Sequence, residues 1–95
     1  MAENNPLTVQ NATTTSYQFQ VSFGGNVFTQ EVAGGDSWVV PSSFPCDQWV
    51  TVAVSDSDES LSYQVLNAVK VIFDADTLGC LAGACEGGCQ VNQST

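Results

Sequence analysis

The sequence predicts an all-β domain: a small antiparallel β-sandwich or jelly-roll-like fold of about seven short strands, followed by a Cys/Gly-rich C-terminal tail. Three observations carry this reading. Short runs alternate apolar and polar residues with period two, clusters of Gly, Pro, Asn, Asp and Ser interrupt them at close spacing, and β-branched residues are abundant within them. Ninety-five residues suffice for one domain, 1–95. A core of that size buries a smaller share of its surface than a larger one, so covalent staples count for more.

Taken in order, residues 1–6 read as a polar N-terminal arm and Leu7-Thr8-Val9-Gln10 as the first strand. Tyr17 to Phe23 alternates cleanly, and Gly24-Gly25-Asn26 breaks the run. A two-residue loop at Gly25-Asn26 sets Gly24 against Val27 and Phe23 against Phe28. It gathers Phe19, Val21 and Phe23 on one face with Phe28 and Val32. A three-residue loop would place Val27, Thr29 and Glu31 there instead, so the hydrophobic pattern selects the tighter turn, with Gln30 the one misfit. Ser37-Trp38-Val39-Val40 is a strand that stops at Pro41, and Trp49 to Val54 is another. After the acidic turn Asp56-Ser57-Asp58-Glu59 come Leu61 to Val65 and Val69 to Phe73, read as a strand pair. A single helix over 61–73 is the competing reading, and the alternation and β-branched content argue against it. From Gly79 the chain reads as a Gly/Cys-rich tail, 79–95.

Cys46 stands alone mid-chain, whereas Cys80, Cys85 and Cys89 crowd into the tail. Disulfides are the expected use. A bridge from Cys46 to a tail cysteine would close a loop of roughly 35 residues and stabilise by about 3–4 kcal/mol on the chain-entropy model. The remaining two would pair within the tail or bond to other chains. A four-thiolate zinc or iron–sulfur site is the alternative, but the C-x4-C-x3-C spacing lacks zinc knuckles and only loosely resembles ferredoxin spacing. Disulfides imply an oxidising compartment, yet Met1 to Pro6 lacks the basic and apolar regions of a secretory signal. The two fit together for a chain on a virion surface or in another extracellular setting, or for one whose signal has been removed.

Charge excludes more than it identifies. Ten acidic residues stand against one base, Lys70, and histidine is absent. Nucleic acid and anionic membrane surfaces both need clustered Lys or Arg, so neither is expected as a partner, and no apolar run approaches the roughly 20 residues of a membrane-spanning helix. Without His there is no conventional Ser-His-Asp or Cys-His arrangement, and an enzyme is not expected. No motif points to a cofactor. Asp56, Asp58, Asp74 and Asp76 form a weak calcium candidate, since the two acidic groups flank the 61–73 strand pair and can sit at the same end of the sheet; ordinary turn chemistry with solvated carboxylates is the favoured reading, because no EF-hand-like Gly or spacing appears. Trp49 falls on the face opposite Val50, Val52 and Val54, so inward valines put it outward, where it could stack on a sugar ring or another chain. Trp38 is the other aromatic of this kind. Asn11-Ala12-Thr13 and Asn92-Gln93-Ser94 are glycosylation sequons in a eukaryotic secretory route.

The leading expectation is therefore a non-enzymatic structural or assembly subunit of an extracellular filament or virion, associating with itself or with other subunits through its arm and tail. The alternative is a secreted, disulfide-stabilised binding module, lectin-like or toxin-like. A Cys-ligated metal or redox protein is the weaker third.

Overall fold

The computed structural model describes residues 4–74, 77–83, 85 and 87–93. Among them are nine strands: β1 (Asn4–Asn11), β2 (Tyr17–Phe23), β3 (Asn26–Val32), β4 (Ser37–Pro45), β5 (Trp49–Ser55), β6 (Ser60–Leu66), β7 (Ala68–Phe73), β8 (Leu78–Ala82) and β9 (Gln90–Gln93). They form a four-stranded sheet in the order β4-β1-β7-β8 and a five-stranded sheet in the order β3-β2-β5-β6-β9. The fold is all-β, as the alternation predicts, and it is a sandwich.

Alternation builds the interface between the sheets. Leu7 and Val9 of β1, Val40 and Phe44 of β4, and Val71 and Phe73 of β7 face Phe19 and Val21 of β2, Val50, Val52 and Val54 of β5, and Tyr63 and Val65 of β6, all buried. Aromatic rings lock the two layers at both ends. Phe73 meets Tyr17 and Phe19 edge-on at 5.0 and 5.9 Å, and Phe44 meets Phe23 at 5.9 Å.

Several details depart from expectation. The β2–β3 loop is Gly24-Gly25, with φ of 59° and 88°, and Phe23 pairs with Asn26 and Val21 with Phe28. A tight hairpin turn of this kind needs positive φ at both positions, which two glycines supply without a Cβ penalty. The register is therefore displaced by two residues, and because the side-chain period is two, the expected faces survive. β4 runs on through Pro41, because it is an edge strand and shows a register irregularity against Pro6 to Thr8 of β1. Proline is tolerated where no ladder donor is required. The ladder is not wholly antiparallel, since β1 lies parallel to β7. Leu61–Val65 and Val69–Phe73 are not a pair either: β6 and β7 belong to different sheets, joined through Asn67 at φ 58°.

The described parts of the arm and tail belong to the sheets; residues 1–3 of the arm and 84, 86, 94 and 95 of the tail lie outside the described residues. Asn4 to Pro6 pair with β4, β8 pairs with β7, and β9 pairs with β6. Cys46 bonds Cys85 and Cys80 bonds Cys89, leaving no free cysteine. The first bridge ties the β4–β5 turn to the β8–β9 connection. The second ties β8, at the edge of one sheet, to the residue just before β9, at the edge of the other.

Candidate functional site

Two asparagines organise the ends of the sandwich. Asn11 is fully buried at the end of β1. Its Nδ2 donates to the carbonyls of Thr15 (2.8 Å) and Val32 (2.9 Å), and its Oδ1 accepts from the Thr13 N–H (3.0 Å) and hydroxyl (2.6 Å). Its backbone N–H donates to Asp36 O, and its carbonyl accepts from Gly35 N–H. One side chain thus fastens the β1–β2 loop and the end of β3, while its backbone holds the β3–β4 turn. Gly34 packs so closely on that loop that a Cβ would lie 2.6 Å from the Thr14 carbonyl carbon. The Asn11 sequon is consequently inaccessible in the folded chain, whereas Asn92 is exposed on β9. At the other end Asn67 Oδ1 accepts from Asp47 N–H at 2.7 Å, beside the Cys46–Cys85 bridge.

The acidic groups serve their own turns. Asp56 Oδ1 accepts from the N–H groups of Asp58 and Glu59, both at 2.8 Å, and these bonds, Asp58's first, hold its carboxyl below the usual carboxylate range. Asp74 Oδ1 accepts from the N–H and hydroxyl of Thr77. The β6 start and the β7 end do lie at the same end of the sandwich, as expected. Among the described residues, however, no three His, Cys, Asp or Glu side chains converge as a metal site; Asp76 lies outside them. Beside Asp56 and Asp58, residues Thr15, Ser16, Gln18, Glu31, Ser55 and Ser57 line an open concavity of about 550 Å³. With every cysteine sulfur bonded to another, the four-thiolate metal arrangement is not the one adopted.

Tyr63 is the one buried polar oddity. Its hydroxyl has no hydrogen-bond partner, and burial, reinforced by the Asp74 carboxylate, raises its pKa. Lys70 occupies the outer face of the four-stranded sheet. The register aligns it in a row across the strands with Val39, Thr8 and Leu81, of which Val39 is 65% and Leu81 50% exposed.

Trp49 is exposed, as inward valines require. It stands on the outer face of the five-stranded sheet, and the register around it reveals an arrangement that local sequence does not show. Two adjacent rows cross the strands there: Trp49–Leu66–Gln90, and Val27–Ser22–Thr51–Gln64–Asn92, with Val27 57% exposed at the β3 edge. The Gln64 Nε2 donates to Thr51 Oγ1 at 3.0 Å, holding both side chains against the sheet. Further along, the outward positions are Gln18, Gln20, Thr29, Ala53 and Ser55, with Glu31 the only ionisable group on this face among the described residues. The other described acids lie between strands or at their starts, as Asp36, Asp47, Asp56, Asp58, Glu59 and Asp74. The signal was present in the polar half of each alternating strand, but only the pairing order shows that those halves form one surface. No described helix is long and apolar enough to cross a membrane. Comparison with known protein families, with characterised proteins and with solved structures finds no match for this chain.

Proposed function

We propose that this chain is a non-enzymatic, secreted recognition module, a disulfide-stapled sandwich that holds out the uncharged face of its five-stranded sheet to a partner. One observation carries the reading: in a chain with a net charge of −9, the described residues of a broad sheet face carry no charge apart from Glu31, and an exposed tryptophan stands on it. Solubility asks for charge somewhere, not for its exclusion from one face, and polar side chains around an exposed aromatic suit contact with a neutral surface. The intrachain bridges support work in an oxidising, extracellular setting and give a rigid scaffold.

The test is a charge inserted into the face. Beads carrying the chain are offered intact cell envelopes and extracellular matrix from the source organism, and retention is compared with that of a Thr51→Glu/Gln64→Glu variant of unchanged circular dichroism. The reading expects retention by the wild type and its loss in the variant. Equal retention of the two sinks it.

A second reading, an assembly subunit, is favoured by the Val39–Thr8–Lys70–Leu81 row, which sets the lone base between exposed apolar residues as an anchor for an acidic turn of another copy. The tail cannot supply covalent links between chains, because its cysteines are paired internally. Sedimentation velocity decides: concentration-dependent oligomers that Leu81→Asp dissociates would favour this reading over the first.

A further inference from the structure

We infer that the partner of the five-stranded face is a neutral polysaccharide, bound across the strands along the two rows that begin at Trp49. This rests on the recognition reading above and names its ligand class.

The chemistry of the rows makes the match. A pyranose ring is amphipathic: its C–H faces are apolar and its rim carries hydroxyls that both donate and accept. Trp49, 41% exposed, presents a flat apolar ring with an N–H donor, and Leu66 extends that apolar row on the neighbouring strand. From Ser22 to Asn92 the parallel row offers hydroxyls and carboxamides, groups that also both donate and accept, with exposed Val27 at its β3 end. Thr51 already accepts from Gln64, so its hydroxyl proton remains available, and the Gln64 amide keeps a carbonyl and a second N–H. The bond between them pre-orients both groups, reducing the entropy lost on binding.

The spacing agrees. Neighbouring strands lie about 4.8 Å apart, close to the length of one sugar unit, and residues two apart on a strand are separated by about 7 Å. A chain laid across β5, β6 and β9 therefore advances roughly one ring per strand. A ring on the Trp49 row has its rim beside the Thr51–Gln64 row.

Competing occupants fit less well. Protein interfaces draw on clustered aromatic and arginine anchors, and this face has one tryptophan and no arginine. Extended peptides add to sheet edges rather than to faces. Anionic glycans, with uronate or sulfate groups, meet the repulsion of the acidic turns at both ends of the sandwich and find no cation here, since Lys70 is on the opposite sheet. Neutrality is what the ligand must share with the face.

The test is a backbone-amide and indole NMR titration of the intact chain with cellohexaose, xylohexaose, mannohexaose and chitohexaose, with hexagalacturonate as the anionic control. The inference expects at least one neutral hexasaccharide to shift the Trp49 indole signal together with Thr51 and Gln64. Trp49→Ala should weaken that affinity about tenfold or more, Lys70→Gln should leave it unchanged, and hexagalacturonate should not bind. The inference is overturned if no neutral sugar shifts these signals, if the shifts map elsewhere, or if Trp49→Ala binds as tightly. Should the sugars fail while Thr51→Glu/Gln64→Glu still abolishes bead retention, the face is a recognition surface for another ligand. If both fail, both readings fall.

Discussion

The two disulfides make a quantitative prediction because they close loops of very different length. Cys46 and Cys85 are 39 residues apart, Cys80 and Cys89 only nine. On the chain-entropy model, releasing the first should cost about 3.9 kcal/mol at 25 °C and releasing the second about 2.6 kcal/mol, a difference of about 1.3 kcal/mol. Burial does not separate the two: Cys85 is buried but its partner Cys46 is only partly covered, and partly covered Cys80 and Cys89 pack against the core, so loop length sets the order. The paired variants are Cys46→Ala/Cys85→Ala and Cys80→Ala/Cys89→Ala, followed by urea unfolding with tryptophan fluorescence. With a slope near 1 kcal/mol per molar for so small a domain, the midpoints should fall by about 4 M and about 2.6 M. Domains of this kind have total stabilities of about 5–15 kcal/mol, so the first variant should be marginal and the second clearly folded. The reasoning is refuted if the Cys80/Cys89 variant, at an unchanged slope, is the less stable of the two. That result would mean the short bridge contributes through the native packing of β8 against β9 rather than through the unfolded chain.

Tyr63→Phe removes a buried hydroxyl that has no partner, so it should raise stability by about 1 kcal/mol, read as a melting temperature about 4–8 °C higher. Because the folded pKa of Tyr63 is raised, the wild type keeps its full stability below the ordinary tyrosine pKa of about 10, where the unfolded tyrosine is neutral, and loses stability as pH climbs from there through the folded value. The phenylalanine variant should lack that alkaline loss, and identical alkaline melting curves would contradict the assignment. Asn11→Ala takes the side-chain donor from the Val32 carbonyl, one of two donors from Thr15 O, and the acceptor from the Thr13 N–H and hydroxyl, and should cost about 2–3 kcal/mol in denaturant unfolding. Gly34→Ala, whose Cβ would press on the backbone of Thr13, Thr14 and Thr15, should cost about 1–3 kcal/mol. For Asp56 the folded pKa is lowered, so its contribution is present above the ordinary aspartate value of about 3.9 and lost as pH falls through the folded one. Asp56→Asn should flatten the stability profile below about pH 4, and a profile parallel to the wild type would argue against those turn bonds.

Where one face of a strand is buried, the sequence announced the structure. Phe19 and Val21, or Val50, Val52 and Val54, place themselves inward by alternation alone, and Trp49 outward as their complement. The tail was misread because its strands lack that pattern: Leu78-Gly79-Cys80-Leu81-Ala82 holds two small residues and buries only Leu78, so pairing with β7 and the bridges, not local propensity, make it a strand. Turn chemistry fixed the hairpin differently from hydrophobic matching, because two registers separated by two residues satisfy the same faces. The two rows proposed to meet a sugar are illegible in the sequence for a deeper reason. Ser22, Thr51, Gln64 and Asn92 are far apart in the chain, and only strand order makes them neighbours. The buried role of Asn11 was hidden behind a sequon that reads as surface chemistry.

The parallel contact between β1 and β7 bears on how the chain comes off the ribosome. Thr8 takes its place beside Lys70, and Val9 beside Val71, so the first strand made has one flank open until most of the domain has been synthesised. β4 can cover the other flank early, and the β2–β3 hairpin can close on its own, but the four-stranded layer has no middle until β7 arrives. Such distant pairing is slow, on the order of milliseconds to seconds. The nascent chain therefore spends its synthesis as a half-built layer with Leu7 and Val9 uncovered, and the Cys46–Cys85 bridge can seal it only after that layer has closed. Oxidation arriving earlier would find Cys46 with no native partner yet made.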